Sequence, residues 1–167
     1  MKFRIITACT ALAGFLTGAH FMAPRKTNPP VVREHTVEAN TALSPAAESV
    51  LRRACMNCHS NETRWPVYSY LPPFSWMVTR DVQKARKVMN FSEWSTQAGR
   101  RPGLAASFLA ASCSDMKVRR MPTAPYLLLH PEAKLSKADV DGFCTWTREE
   151  ISRLKLRKNK PEFRASR

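Results

Sequence analysis

The sequence predicts an all-α fold, and three observations support this prediction. Apolar side chains recur at helical spacing in several separate stretches, as they do on the buried face of a helix. Twelve prolines against five glycines suit stiff connections between helices, and no segment needs to be a strand. A chain of 167 residues suits one domain with appendages. We therefore divide it into an N-terminal apolar segment (1–23), a linker (24–43), one helical domain (44–158) and a basic C-terminal tail (159–167).

The N-terminal segment is typical of an exported protein. Lys2 and Arg4 precede an apolar run over 5–23 that contains no charged residue. The run is at the short end of what crosses a membrane as a helix, so a retained anchor, which we expect, and a signal peptide cleaved near His20 both stay open. The apolar lead-in before Cys9 is too short for lipidation. We expect the protein in the periplasm, anchored to the inner membrane by this segment.

The linker and the tail are predicted to lie outside the core. Between Pro24 and Thr41 no periodicity is present, and the Asn28-Pro29-Pro30 sequence is typical of an extended tether. The tail is basic and loses apolar periodicity after Leu156, as a solvated helix end does; docking to an acidic partner or to anionic lipid is the alternative. The net charge of +14 favours partners with acidic surfaces. Nucleic acid is not expected, because no stripe of basic residues interleaved with aromatics is present.

The first two helices of the domain follow from capping and spacing. Ser44 is a good N-cap and Pro45 suits the first helical position, so a helix should run from Pro45 into the cysteines that follow. Its core-facing residues are Val50, Leu51 and Ala54. After an ordered loop, a second helix is predicted over about 74–89, and Ser92 can cap a short helix.

Two further helices complete the domain. An Ala-rich stretch predicts a helix over about 104–117, and residues 121–125 read as a loop. Ser136 and Asp139 then resemble a capping box at the start of the last helix. The predicted buried face of this helix consists of Val140, Phe143, Cys144, Thr147, Ile151 and Leu154.

The Cys55-Met56-Asn57-Cys58-His59 motif carries the predicted chemistry. Two thiols at this spacing can add across the vinyl groups of haem as thioethers, and the adjacent histidine can bind the iron. The motif therefore predicts one covalently attached haem c, held by Cys55 and Cys58 with His59 as an axial ligand. A zinc site would need a second ligand pair at similar spacing, and a thioredoxin-like dithiol would need a βαβ pattern; neither is present.

The sixth iron position should be filled by a Met thioether or a second His if the protein is a low-spin electron carrier. Candidates at loop-like or exposed positions downstream are Met116, Met121 and His130. We predict Met121, because the proline after it fixes the backbone of a loop that must present sulfur; His130 is the runner-up. Met77 and Met89 stand at helical spacing and are predicted to fill the core.

Two cysteines remain after the motif and Cys9 are set aside. These are Cys113 and Cys144, which should form a disulfide in an oxidising compartment. The bond would join the third helix of the domain to the last one. Two buried free thiols are the alternative.

Several stretches resemble a known family, the small haem-binding domain of bacterial membrane-anchored monohaem cytochromes c. The resemblance is carried by CMNCHSNETRWPVYSYLPPFSW from Cys55, MNFSEW from Met89, MPTAPYLLLHPEAKLS from Met121 and CTWT from Cys144. It implies a cytochrome-c-like helical domain around one haem, with Cys55 and Cys58 holding the haem and Cys113 facing Cys144. It also implies His59 and Met121 as axial ligands. The chain departs from the family at Arg119-Arg120 and over 100–103.

The expected function is transport of single electrons between redox proteins in the periplasm, without substrate turnover. A haem-based peroxidase or ligand sensor is an alternative, and it would need an open or displaceable distal position. A haem subunit of a larger respiratory complex is a third possibility, compatible with an anchor and a basic tail.

Overall fold

The computed structural model describes residues 2–22, 24–99 and 101–159, and in these ranges it contains helices and loops without a strand. The all-α prediction is confirmed. The α-helices are α1 (Lys2–Phe21), α2 (Val37–Asn40), α3 (Pro45–Val50), α4 (Met56–His59), α5 (Phe74–Val88), α6 (Pro102–Lys117), α7 (Ala124–Leu129) and α8 (Lys137–Asn159). Short 3₁₀ helices cover Arg33–His35, Val67–Tyr70, Phe91–Glu93 and Pro131–Ala133, and π-helical turns cover Leu51–Cys55 and Ser95–Gly99.

The helix that leads into the motif begins where the sequence predicts. The Ser44 hydroxyl accepts a hydrogen bond from the Ala47 N–H at 3.2 Å, and Pro45 takes the first turn, where a missing N–H costs nothing. Val50 and Leu51 are buried in the core. After α3 the chain widens into the π-turn Leu51–Cys55 and then tightens again into α4. Such π-turns frequently occur at functional sites.

Helices α6 and α8 form the most extensive helix pair in the described part of the chain. The predicted capping box starts α8: Asp139 Oδ2 accepts from the Ser136 N–H at 2.8 Å, and the Ser136 hydroxyl accepts from the Asp139 N–H at 3.1 Å. The predicted α8 face is buried or half-buried throughout, and Trp146, which was not predicted to lie on it, is buried as well. Cys113 on α6 lies at disulfide distance from Cys144 on α8, with Sγ atoms 2.00 Å apart, as predicted.

Three segments differ from the sequence-based expectation. The predicted tether carries the 3₁₀ turn Arg33–His35 and helix α2, and Val37 is completely buried in the core, because tertiary packing supplies what periodicity lacks. Residues 124 and 125, predicted as loop, start α7, whose early proline suits a helix N-terminus. The short helix Phe91–Glu93 is capped by Asn90 rather than Ser92.

The apolar N-terminal run forms α1, which ends at Phe21. Within the described residues, neither α1 nor any other helix combines the length and the apolar character that crossing a membrane requires. Most of the predicted basic tail, from residue 160 onward, lies outside the described residues.

Candidate functional site

Cys55, Cys58 and His59 lie together on a single turn. Cys55 ends the π-turn, while Cys58 and His59 belong to α4, and all three side chains are half-buried. The two thiols are not bonded to each other. Burial raises the pKa of Cys55 to about 12 and that of Cys58 to about 11. Both therefore stay protonated at neutral pH, unlike the reactive cysteine of a redox dithiol, whose pKa is lowered.

The His59 ring is held in one orientation by the backbone. Its Nδ1 atom lies 3.0 Å from the carbonyl oxygen of Met89. A carbonyl only accepts, so Nδ1 carries the hydrogen and Nε2 keeps its lone pair for a metal. Burial lowers the pKa of His59, which favours this neutral form, and Phe91 packs edge-on at 6.3 Å between ring centroids. His59 is thus held with its Nε2 lone pair available for a metal.

The residues that follow His59 are fixed by Arg86 of α5. Its guanidinium donates to the carbonyl of Ser60 at 2.7 Å and to the hydroxyl of Thr63 at 2.9 Å. It also donates to the Thr27 carbonyl at 2.8 Å and to Asn28 Oδ1 at 3.0 Å. One side chain therefore joins α5 to the residues that follow the motif and to the predicted linker.

A second polar network lies beside this one. Asn61 donates its backbone N–H to the Ser92 hydroxyl at 3.0 Å, and Asn90 donates its amide to Asn61 Oδ1 at 2.8 Å. Asn61 also donates to Glu93 Oε1 at 3.2 Å. Asn61, Asn90 and Ser92 are all buried, and satisfied buried networks of this kind specify one arrangement. The backbone around the His59–Met89 contact is therefore rigid.

Helix α7 is attached to the motif through aromatic and polar contacts. Asn57, inside the motif, donates to the Tyr126 hydroxyl at 2.9 Å. Tyr126 stacks on His130 with ring centroids 4.1 Å apart. His130 lies with Nε2 2.7 Å from the Tyr68 hydroxyl and Nδ1 2.9 Å from Glu132 Oε1. These contacts bring α7 and the 67–70 turn to one side of the motif.

The three distal candidates occupy different environments. Met116 is 5% exposed and belongs to the core cluster. His130 has both ring nitrogens engaged by protein groups. Met121 is 40% exposed, on the loop that leads into α7. Of these three side chains, Met121 is the one whose donor atom is neither packed in the core nor taken by a hydrogen bond.

The two methionines predicted to fill the core behave differently. Met89 packs against it and accepts a weak hydrogen bond from the Ser112 hydroxyl at 3.8 Å. Met77 is 47% exposed on α5, so its predicted core position is wrong. Helical spacing alone does not say which face of α5 is covered, and Ser75, Thr79 and Val82 form the buried one.

Exposed apolar side chains occur along the N-terminal run and also on the 67–77 segment and α7. On the 67–77 segment they include Val67, Tyr70, Leu71, Phe74 and Met77, and on α7 they include Leu128 and Leu129. Exposed apolar patches of this kind mark ligand or partner surfaces. Two free thiols and one backbone-oriented imidazole on a single turn are a donor set that fits haem. Within 2–22, 24–99 and 101–159, no group of three His, Cys, Asp or Glu residues is placed to hold a metal ion.

Some residues of this site were not predicted from the sequence. The Met89 carbonyl is a backbone group and has no side-chain signature, while Arg86 acts on acceptors 23 to 59 positions away. The Asn57–Tyr126 bond spans 69 positions. The sequence signal for this polar network is that Ser60, Asn61 and Thr63 closely follow the motif. All three are buried in the structure.

Comparison with known proteins gives one match. The family model of the haem-binding domain matches residues 14–149, which is most of the chain and includes the motif, both disulfide cysteines and the predicted linker. No curated protein and no solved structure matches the chain. The resemblance to a haem-binding domain is confirmed, and the chain belongs to the haem-binding domain family.

Proposed function

We propose that this protein is a periplasmic monohaem c-type cytochrome that carries single electrons between redox proteins. Cys55 and Cys58 hold one haem c through thioethers, and His59 and Met121 are its axial ligands. Bound haem c supplies a one-electron couple between ferrous and ferric iron. The protein residues supply attachment, ligand orientation and shielding from water.

The observation that carries the proposal is the geometry of His59. Its Nδ1 hydrogen is bonded to the Met89 carbonyl, and His59 lies on the same turn as two free thiols. The chain also belongs to the haem-binding domain family. An imidazole oriented in this way is a stronger and better defined iron ligand than a freely rotating one. The thiols, kept protonated by burial, are available for thioether formation rather than for disulfide exchange.

The distal assignment rests on exclusion among the sequence-based candidates. Met116 is committed to the core and His130 to Tyr68 and Glu132. A thioether ligand favours ferrous iron and raises the potential, which suits an electron carrier. Two exposed cationic residues, Arg119 and Arg120, directly precede Met121 in the same loop.

Export to the periplasm is supported by the N-terminal pattern and by the cysteine pairing. Lys2 and Arg4 followed by an uncharged apolar run are typical of export, whether the segment is cleaved or retained as an anchor. The pairing of Cys113 with Cys144 suits an oxidising compartment.

The partners we propose carry acidic docking surfaces. Arg80, Lys84 and Lys87 are exposed on α5, the helix that packs on α4. Cations beside a haem edge steer acidic proteins into contact and raise the association rate at low salt.

Spectroscopy of the purified protein tests the proposal. We expect a c-type pyridine haemochrome, haem that resists extraction, and the weak far-red band of sulfur bound to ferric iron. The Cys55→Ala/Cys58→Ala variant should lose covalent haem, whereas Cys9→Ser should keep it. Extractable haem in the wild-type protein contradicts the c-type assignment.

The distal ligand is tested by two matched methionine variants. Met121→Ala should lose the far-red band, and Met77→Ala, which removes another exposed thioether, should retain it. If Met77→Ala loses the band and Met121→Ala keeps it, Met77 is the distal ligand instead. Ready binding of carbon monoxide or cyanide by the wild-type protein would favour a ligand sensor or peroxidase instead.

A further inference from the structure

The turn that delivers Met121 is built on one residue, Asp115, in the last turn of α6. The Asp115 carbonyl accepts the N–H of Arg120 at 2.8 Å and the N–H of Met121 at 3.2 Å. The N–H of Arg119 bonds to the Met116 carbonyl at 3.1 Å. Together these bonds form a Schellman-type helix ending, which reverses the chain immediately before Met121.

The same turn contains backbone strain. Arg119 has φ of 54°, in the left-handed region that glycine normally fills at this position of a helix end. A side chain with a Cβ atom is disfavoured there, and such residues persist where their surroundings determine the conformation strongly. The hydrogen bonds that the Asp115 carbonyl accepts from Arg120 and Met121 hold Arg119 in this conformation.

A side-chain contact adds to the backbone contacts. Arg120 Nη1 donates to Asp115 Oδ1 at 2.8 Å. Asp115 is half-buried, whereas Arg120 is exposed. Met121 is itself 40% exposed, so packing against neighbouring residues constrains its side chain only in part. The position of the thioether therefore depends on the turn.

We propose that Asp115 and Arg120 are a positioning pair that presents the Met121 thioether and makes this ligand hard to displace. The inference rests on the proposed ligation by Met121. The backbone bonds to the Asp115 carbonyl define the turn, and the ion pair keeps it closed. Breaking the pair leaves the fold intact but lets the loop open more often, so an external ligand competes with Met121 more successfully.

Competition by imidazole for the ferric protein tests the pair. Asp115→Asn and Arg120→Gln should each bind imidazole about two- to fivefold more tightly than the wild type, the range expected from an exposed ion pair. The double variant should bind no more tightly than either single variant, because one interaction is lost in all three. Asp141→Asn, which removes the comparable Lys137–Asp141 pair on α8, is the matched control and should be unchanged.

The outcomes separate this inference from the proposed function. If Met121→Ala removes the far-red band but Asp115→Asn and Arg120→Gln bind imidazole as the wild type does, the positioning role is wrong and the ligation stands. If Met121→Ala leaves the band in place, both the ligation and the positioning role are wrong. Circular dichroism of each variant confirms that the helices are retained.

Discussion

Arg53 shows how one residue of the motif region is connected to distant parts of the chain. Its guanidinium donates to the carbonyls of Glu132 at 3.3 Å and Lys134 at 3.0 Å, and it pairs with Asp139 at 2.5 Å. Asp139 in turn caps α8 through Ser136. The start of α8 is therefore tied to the π-turn that ends in Cys55. The hydrogen bonds from Arg53 and then from Ser136 lower the pKa of Asp139 to about 2.

The lowered pKa predicts a pH dependence of stability. A carboxyl whose folded pKa is below its unfolded value stabilises the fold above about pH 4, and this contribution is lost as the pH falls toward about 2. After allowance for partial exposure, we expect Asp139→Asn to cost about 1–2 kcal/mol at neutral pH. Urea unfolding between pH 7 and pH 2 measures this, and the gap between variant and wild type should close below about pH 4.

Asp141 provides the control for this experiment. It pairs with Lys137 in the same helix and is exposed to solvent. Asp141→Asn should change stability less than Asp139→Asn at neutral pH. A gap for Asp139→Asn that stays constant down to pH 2 would show that the charge of Asp139 does not account for the loss.

At the scale of elements, the α6–α8 pair is the main support of the domain. Cys113 and Cys144 join the two helices, and Leu109, Phe143 and Trp146 are buried along them. The disulfide closes a loop with a sequence separation of 31 residues. On the chain-entropy account, a loop of this length stabilises the folded state by about 3 to 4 kcal/mol.

Removal of the disulfide should therefore destabilise the protein without removing haem. We expect Cys113→Ala/Cys144→Ala to lose about 3 to 4 kcal/mol of unfolding free energy. Denaturant unfolding measures the loss, and the absorption spectrum should stay that of the wild type. A loss below about 1 kcal/mol would mean that the bond stabilises the fold much less than loop closure predicts. Cys9→Ser controls for general effects of cysteine removal.

Elements defined by local signals were predictable, and those defined by distant contacts were not. Ser44 and Ser136 mark helix starts within their own turn, so α3 and α8 begin as predicted. Helix α2 is four residues long and forms because Val37 enters the core, which no local pattern announces. The start of α7 was missed because a proline that begins a helix looks the same in sequence as one that ends it.

At the scale of the whole molecule, the segment predicted as a tether is part of the domain. Asn28 donates to the Thr63 carbonyl at 2.8 Å, and Arg86 binds both Thr27 and Asn28. Trp146 of α8 donates its indole N–H to the Ala42 carbonyl at 2.9 Å. The predicted linker thus packs against the residues that follow His59.

Arg86 is the residue on which this attachment depends. Arg86→Lys keeps the charge but cannot reach four acceptors at once, so the Ser60 carbonyl is left buried and unpaired. We expect a loss of about 2–3 kcal/mol in unfolding free energy, together with faster proteolysis within 24–43. Arg80→Lys, at an exposed position of the same helix, should change neither. Equal proteolysis rates in both variants would show that the segment is held by other contacts.

The residues of the candidate site also differ in whether the sequence predicts them. The motif supplied Cys55, Cys58 and His59 because its chemistry is contained in five consecutive residues. The Met89 carbonyl lies 30 positions from His59 and is recognised only once the chain is folded. Met77 was misassigned because the same spacing fits either face of α5.

The π-turn Leu51–Cys55 sets the angular phase of the motif. One additional residue per turn rotates everything after it by about 100° relative to a continuous α-helix. Val50 and Leu51 are buried in the core, whereas Cys58 and His59, after the π-turn, are only half-buried. The direction in which the motif faces is therefore set by the number of residues between Leu51 and Cys55, independently of which five residues form the motif.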